Sequence, residues 1–181
     1  MTRIVLIVVG LLAASTSVYA QTTAETIERA LAAAPQRGRE ATGVIKWNDD
    51  YTYETLKEST NQLVCYDRSG FPGRKQAFSV QCTSMANLPR LAQSRKALAE
   101  NADGESVLDG YEADGTRVQP EFGSVWISMD GADQAGARIH TTIAVPGATA
   151  DSLGLPDNRD QGGAWIMMAG TSEAHIMIPG L

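Results

Sequence analysis

Two periodicities alternate along this chain. Between residues 22 and 35, Ile27, Ala30 and Leu31 share one helical stripe. Thr22 and Thr23 offer N-caps, Glu25 and Glu28 occupy the first turns, and Pro35 ends the segment. A second helix is predicted over Leu88 to Asn101, where Leu91, Ala92, Arg95, Ala97 and Leu98 recur at helical spacing and Pro89 sits in the first turn. Elsewhere the period is two. Val44, Ile45 and Trp47 lie in a strand over residues 41–47. Segments 62–66 and 76–82 flank the turn residues Ser69-Gly70-Phe71-Pro72-Gly73. Val125, Ile127 and Met129 alternate with Trp126 and Ser128, and Ile139, Thr141, Ile143 and Val145 alternate with Arg138, His140 and Thr142. Residues 164–168 and 174–178 read as two final strands. Between the second helix and residue 123, Asp103-Gly104, Asp109-Gly110 and Asp114-Gly115 read as successive turns, the last as a tight hairpin between Tyr111 and Val118 with few buried residues nearby. Asp130 to Gly136 is a polar loop, and 146–163 a longer polar excursion. The fold class expected is α+β, a single domain with a mainly antiparallel sheet, two helices and one disulfide.

The first twenty residues set the context. Arg3 supplies a positive start, Ile4 to Leu12 an apolar run, and Ser17-Val18-Tyr19-Ala20 a signal-peptidase site, so residues 1–20 are expected to be a signal peptide and 21–181 the globular unit. The apolar run is shorter than the roughly 20 residues that span a bilayer, and the mature chain carries no transmembrane segment. No cysteine follows the cleavage site to take a lipid anchor. A periplasmic or secreted location follows. It favours oxidised thiols, and with only Cys65 and Cys82 present one intramolecular pairing exists. If the intervening turn centres near Gly73 and Arg74, Cys65 falls opposite Cys82. The spacing is far wider than a redox CxxC. The formal net charge of −6 becomes one unit more negative when Arg3 leaves, and no dense Lys or Arg cluster exists to track phosphates, which argues against a nucleic-acid partner.

The stretch Gly163-Ala164-Trp165-Ile166-Met167-Met168-Ala169-Gly170-Thr171, continuing through Ala174-His175-Ile176-Met177-Ile178-Pro179, resembles the ending of a family of small exported bacterial proteins of uncharacterised function. The Ser124 to Met129 strand and the excursion from Val145-Pro146 to Leu155-Pro156 are similar to that family's layout, so the resemblance covers residues 123–179. Around Cys65 the chain departs from the pattern, with Gln62-Leu63-Val64 where the family carries glycine and tryptophan. The resemblance implies export and one compact domain, and it implies no reaction.

Chemistry-bearing residues are few. His140 and His175 are the only histidines, both on predicted strands opposite the isoleucine stripes, and on neighbouring strands they would share a face with Met177. Imidazole and thioether donors suit copper, with Met167 or Met168 as a further ligand; gap-filling methionines and ordinary histidine hydrogen bonds are the plainer reading. A hydrolase would combine Ser172 or Thr171 with His175 and Glu173 or Asp130, but no GxSxG or SxxK motif is present, and these residues suit a turn. Asp157, Asn158 and Asp160 form an oxygen-rich loop without EF-hand spacing. Trp47, Trp126 and Trp165 would form a ligand platform if exposed together, Trp126 being the one expected to face solvent, and a core if buried. The sequence therefore points to a non-enzymatic periplasmic or secreted binding or envelope-associated module, its partner an unidentified ligand or envelope protein and no cofactor implied. The alternative is a copper- or zinc-binding protein or a hydrolase centred on His140 and His175.

Overall fold

The computed structural model describes residues 22–178; the expected signal peptide and Pro179 lie outside them. The chain opens as expected. The Thr22 hydroxyl accepts from the Glu25 amide while the Glu25 carboxylate accepts from the Thr22 amide, a reciprocal cap that starts α1 (Thr23–Ala30). A short 3-10 turn follows at Leu31–Ala33, and Ala30, Leu31 and Ala33 of this stripe are buried.

Eight strands form one sheet: β1 (Gly43–Trp47), β2 (Tyr53–Lys57), β3 (Leu63–Asp67), β4 (Phe78–Ser84), β5 (Val125–Gly131), β6 (Arg138–Ala144), β7 (Trp165–Met167) and β8 (His175–Met177). Their order is β2-β1-β3-β4-β5-β6-β8-β7, and every pairing is antiparallel except β1 with β3. Cys65 stands directly opposite Cys82 across β3 and β4, and the two are joined by a disulfide with neither residue exposed. The architecture is thus α+β with a mostly antiparallel sheet.

The expectation of two helices is corrected. Four α-helices are present among the described residues: α1, α2 (Leu88–Glu100), α3 (Gly104–Asp114) and the one-turn α4 (Ala150–Leu153). Helix α3 occupies the segment read as successive turns. Asp103 caps it by accepting from the Ser106 amide, Gly110 lies within it, and Gly115 ends it at φ +76°, so no hairpin forms there. Asp-Gly serves helix boundaries as well as turns, and the close packing of Gly104 on α2 decides between them. Strand β2, a short edge strand carrying mostly exposed residues, was absent from the expected elements because its pattern buries no face fully.

The central strands of the sheet are covered on both faces. On one, α1 and its 3-10 extension cover Val44, Cys65, Phe78, Val80, Cys82 and Ile127, and α4 covers Val145, Ile166 and Ala174 towards β7. On the other, Leu88 and Leu91 at the start of α2 pack on Ile45, Val64 and Tyr66. Helix α2 runs back against α3, and the approach is close. A Cβ at Gly104 would lie 2.6 Å from Leu98 Cα and 2.7 Å from the Ala97 carbonyl oxygen. No helix among the described residues is long and apolar enough to cross a membrane.

Two stability effects are expected. Replacing both cysteines by alanine removes a cross-link that closes a 17-residue separation and lowers stability by about 3 kcal/mol in urea unfolding. Gly104→Ala forces α2 and α3 apart and costs about 1–3 kcal/mol in the same measurement, whereas Gly110→Ala, with open space around its Cβ, is neutral or slightly stabilising.

Candidate functional site

The face covered by α2 and α3 is unusual for its polarity. Tyr66, Gln81, Ser128 and His140 are successive cross-strand partners on β3, β4, β5 and β6, so one polar row crosses the centre of the sheet. The Tyr66 hydroxyl donates to Gln81 Oε1 (2.5 Å), and Gln81 Nε2 donates to Ser128 Oγ (2.9 Å). Burial pushes the Tyr66 phenol pKa up, while Arg68, Arg95 and Arg74 pull against it, so Tyr66 stays a neutral donor. The neighbouring row runs Val64, Thr83, Trp126, Thr142, Met177, Trp165.

Above these rows α2 departs from the sheet, and a groove of about 500 Å³ opens between them. Tyr66, Gln81, Ser128 and His140 line its floor, Leu91, Leu98 and Leu108 its helical wall, and Trp126 and His175 its far side. Five arginines border it: Arg68, Arg74, Arg90, Arg95 and Arg117. Arg68 donates to both oxygens of Asp130 (2.9 and 2.8 Å), which also accepts from Ser79. Arg90 donates to the Val118 carbonyl, to Ser172 Oγ (3.2 Å) and to Glu173 (2.9 Å). Arg117 donates to Gln93 and Ser94 on α2 (each 2.8 Å) and reaches Glu173 at 3.4 Å. These bonds tie the helical pair to the β7–β8 turn and hold the groove open. Burial first, and then the like charge of Arg117, lowers the Arg90 pKa, with Glu173 and Glu112 opposing.

The sequence candidates fall into this frame unequally. His140, His175 and Met177 share the groove face, as expected, and so do all three tryptophans, each half-buried rather than forming an open platform. Trp47 packs edge-on against Tyr53 and Tyr66. His140 stands exposed, four positions along β6 from the partner of His175, about 13 Å at strand rise. The two imidazoles therefore do not meet. Instead Met167 lies directly opposite His175, and Met177 opposite Trp165. His175 Nδ1 lies 2.6 Å from the Glu173 carbonyl oxygen, a bond that leaves Nε2 free. No group of three His, Cys, Asp or Glu side chains among the described residues is arranged to hold a metal.

The candidate hydrolytic residues all have structural partners. Ser172 is buried and donates its hydroxyl to Glu112, whose other oxygen accepts from the Ser172 amide. The Thr171 hydroxyl donates to the Met168 carbonyl, Glu173 receives two arginines, and Asp130 receives Arg68 and Ser79. Asn158 accepts from the Asp160 amide and donates to Asp157, closing the oxygen-rich loop on itself. The arginine cluster escaped sequence reasoning because its members are scattered from residue 68 to 117 and meet only in the fold.

No family model, curated protein or solved structure matches this chain, so its function is read from its own geometry.

Acid should loosen the groove's support. Desolvation works to raise the Glu112 pKa, but the hydroxyl and amide of Ser172, then Arg90 and Arg117, outweigh it and hold the carboxyl below its ordinary value. A carboxylate depressed in the folded state stabilises above its unfolded pKa, about 4.3, and loses that contribution as pH falls through the folded value. Urea midpoints measured downward from pH 6 should fall below about pH 4.3, and more shallowly in Glu112→Gln.

Proposed function

We propose that this chain is an exported binding domain without catalytic activity, its ligand seated in the groove between α2, α3 and the sheet. One observation carries the reading. The serine hydroxyls and carboxylates that line the groove are engaged by structural partners, yet a cavity of about 500 Å³ persists with a polar floor and apolar walls. That volume falls in the range of about 300–1,000 Å³ typical of small-molecule sites. The buried disulfide supports an oxidising compartment, in agreement with the leader-like segment at residues 1–20.

A second reading, a soft-metal site, is favoured by the pairing of Met167 with His175, whose Nδ1 is engaged by a backbone carbonyl as in many metal-ligating histidines. Met177 would be the third donor, and His140 would lie outside the set.

A fragment screen by ligand-observed NMR on the oxidised protein separates these. Groove ligands should bind the parent chain and be lost in Ser128→Phe, which fills the floor, or in Ser94→Phe, which fills it from the helix. Ligands retained in both variants, or hydrolytic turnover abolished by His175→Ala, would overturn the binding-domain reading. Stoichiometric Ag(I) binding lost in both Met167→Leu and His175→Ala would establish the second.

A further inference from the structure

We infer that the groove selects an organic oxyanion, a carboxylate or phosphate carried on an apolar or aromatic body, with Arg95 as its anchor. This rests on the groove being the ligand site.

The charge distribution points there first. The chain carries a net charge of −6, yet five guanidinium groups converge on one groove. Asp130 matches Arg68, Glu173 is shared by Arg90 and Arg117, and Glu112 is held behind Ser172. The guanidinium groups of Arg95 and Arg74 have neither an ion pair nor a hydrogen bond among the described residues. Glu105 on α3 is the further carboxylate whose charge reaches Arg74, which is otherwise crowded by the like charge of Arg68. An acidic protein with surplus positive charge confined to a cleft focuses anions into that cleft.

Arg95 is also held ready. Its guanidinium carbon lies over the Trp47 ring (5.0 Å to its centre) and the Phe71 ring (4.4 Å), so two aromatic contacts hold the head group in place. Neither contact uses the N–H donors, whose fork matches a carboxylate or phosphate. Its Nε is buried without a partner, and a buried donor left unpaired is costly unless something fills the position. Arg74 stands exposed at the rim as a second positive group. The rest of the ligand would lie against Leu91, Leu98 and Trp126, which favour an apolar body.

The test is calorimetric, on the oxidised chain from Gln21 onward, with benzoate, phenyl phosphate, inorganic phosphate and neutral benzamide as probes. Benzoate or phenyl phosphate should bind at least about tenfold more tightly than benzamide and weaken as salt is raised, as a charge-assisted bond requires. The ratio of the first two identifies the headgroup. Tighter binding of phenyl phosphate than of inorganic phosphate reports the apolar body. Arg95→Gln should weaken the anionic probe at least about tenfold, with Arg95→Lys intermediate because it keeps charge and loses the fork. If Arg95→Gln does not fold, Arg74→Gln at the rim supplies the readout and should weaken binding less. Benzamide binding as tightly as benzoate, and displaced by Ser128→Phe, would overturn the anion selection and leave the groove site intact. Binding of the anions unchanged in the arginine variants would overturn it too. No binding by any probe would overturn both this inference and the reading on which it rests.

Discussion

The pairing of Cys65 with Cys82 fixes the register on which the rest of this molecule depends. A slip of one residue between β3 and β4 would turn every side chain of one strand to the opposite face. With the register set, Tyr66 meets Gln81, Gln81 meets Ser128, and a hydrogen-bonded row crosses the sheet beneath the helices. The disulfide itself lies on the other face, in the core beneath α1, so a covalent constraint on the apolar side sets the chemistry of the polar one.

The two faces solve different problems. Beneath α1 the contacts are small and apolar, Ala30, Ala33 and Ala34 against valines, phenylalanine and the disulfide, and the helical segment sits close. On the far side the start of α2 is secured by Leu88 and Leu91 on the sheet and by Arg90 on Glu173, and the chain leaving α3 by Arg117 on Gln93 and Ser94. Buried arginines need partners, and these find theirs in the β7–β8 turn and along α2 itself. A helix held by long polar side chains stands further off than one held by alanines. The groove is the consequence. Its floor tolerates Gln81 and Tyr66 at depth because they satisfy one another.

Placing α2 and α3 between two adjacent strands is what makes this possible. Strands β4 and β5 are neighbours, yet the chain between them makes a helical detour instead of a hairpin turn, laid over the face it leaves. The segment 116–118 returns under Gln93, which accepts from the Val118 amide and donates to the Thr116 carbonyl. A long insertion in a hairpin thus becomes a lid-like layer with fixed attachment points.

Local signals were legible where one side chain and its neighbours decide the outcome. The Thr22 and Glu25 cap, the helical stripe over Leu88 to Glu100, the alternation of β5 and β6, and the opposition of the two cysteines about Gly73 all follow from periodicity and turn chemistry within a few residues. Helix α3 did not, because Asp-Gly pairs serve caps and turns equally and only the approach of Gly104 to Leu98 selects the helix. His140 and His175 were placed on one face by parity alone, but their separation depended on the β6–β8 register, which no local pattern encodes. The sequence by itself determined the first two helices, most of the strands, the disulfide and the sharing of faces, since these depend on spacing along the chain. The arginine-bordered groove, and the aromatic contacts of Arg95 with Trp47 and Phe71, were decided by the tertiary structure alone, because they join residues whose only proximity is through the fold.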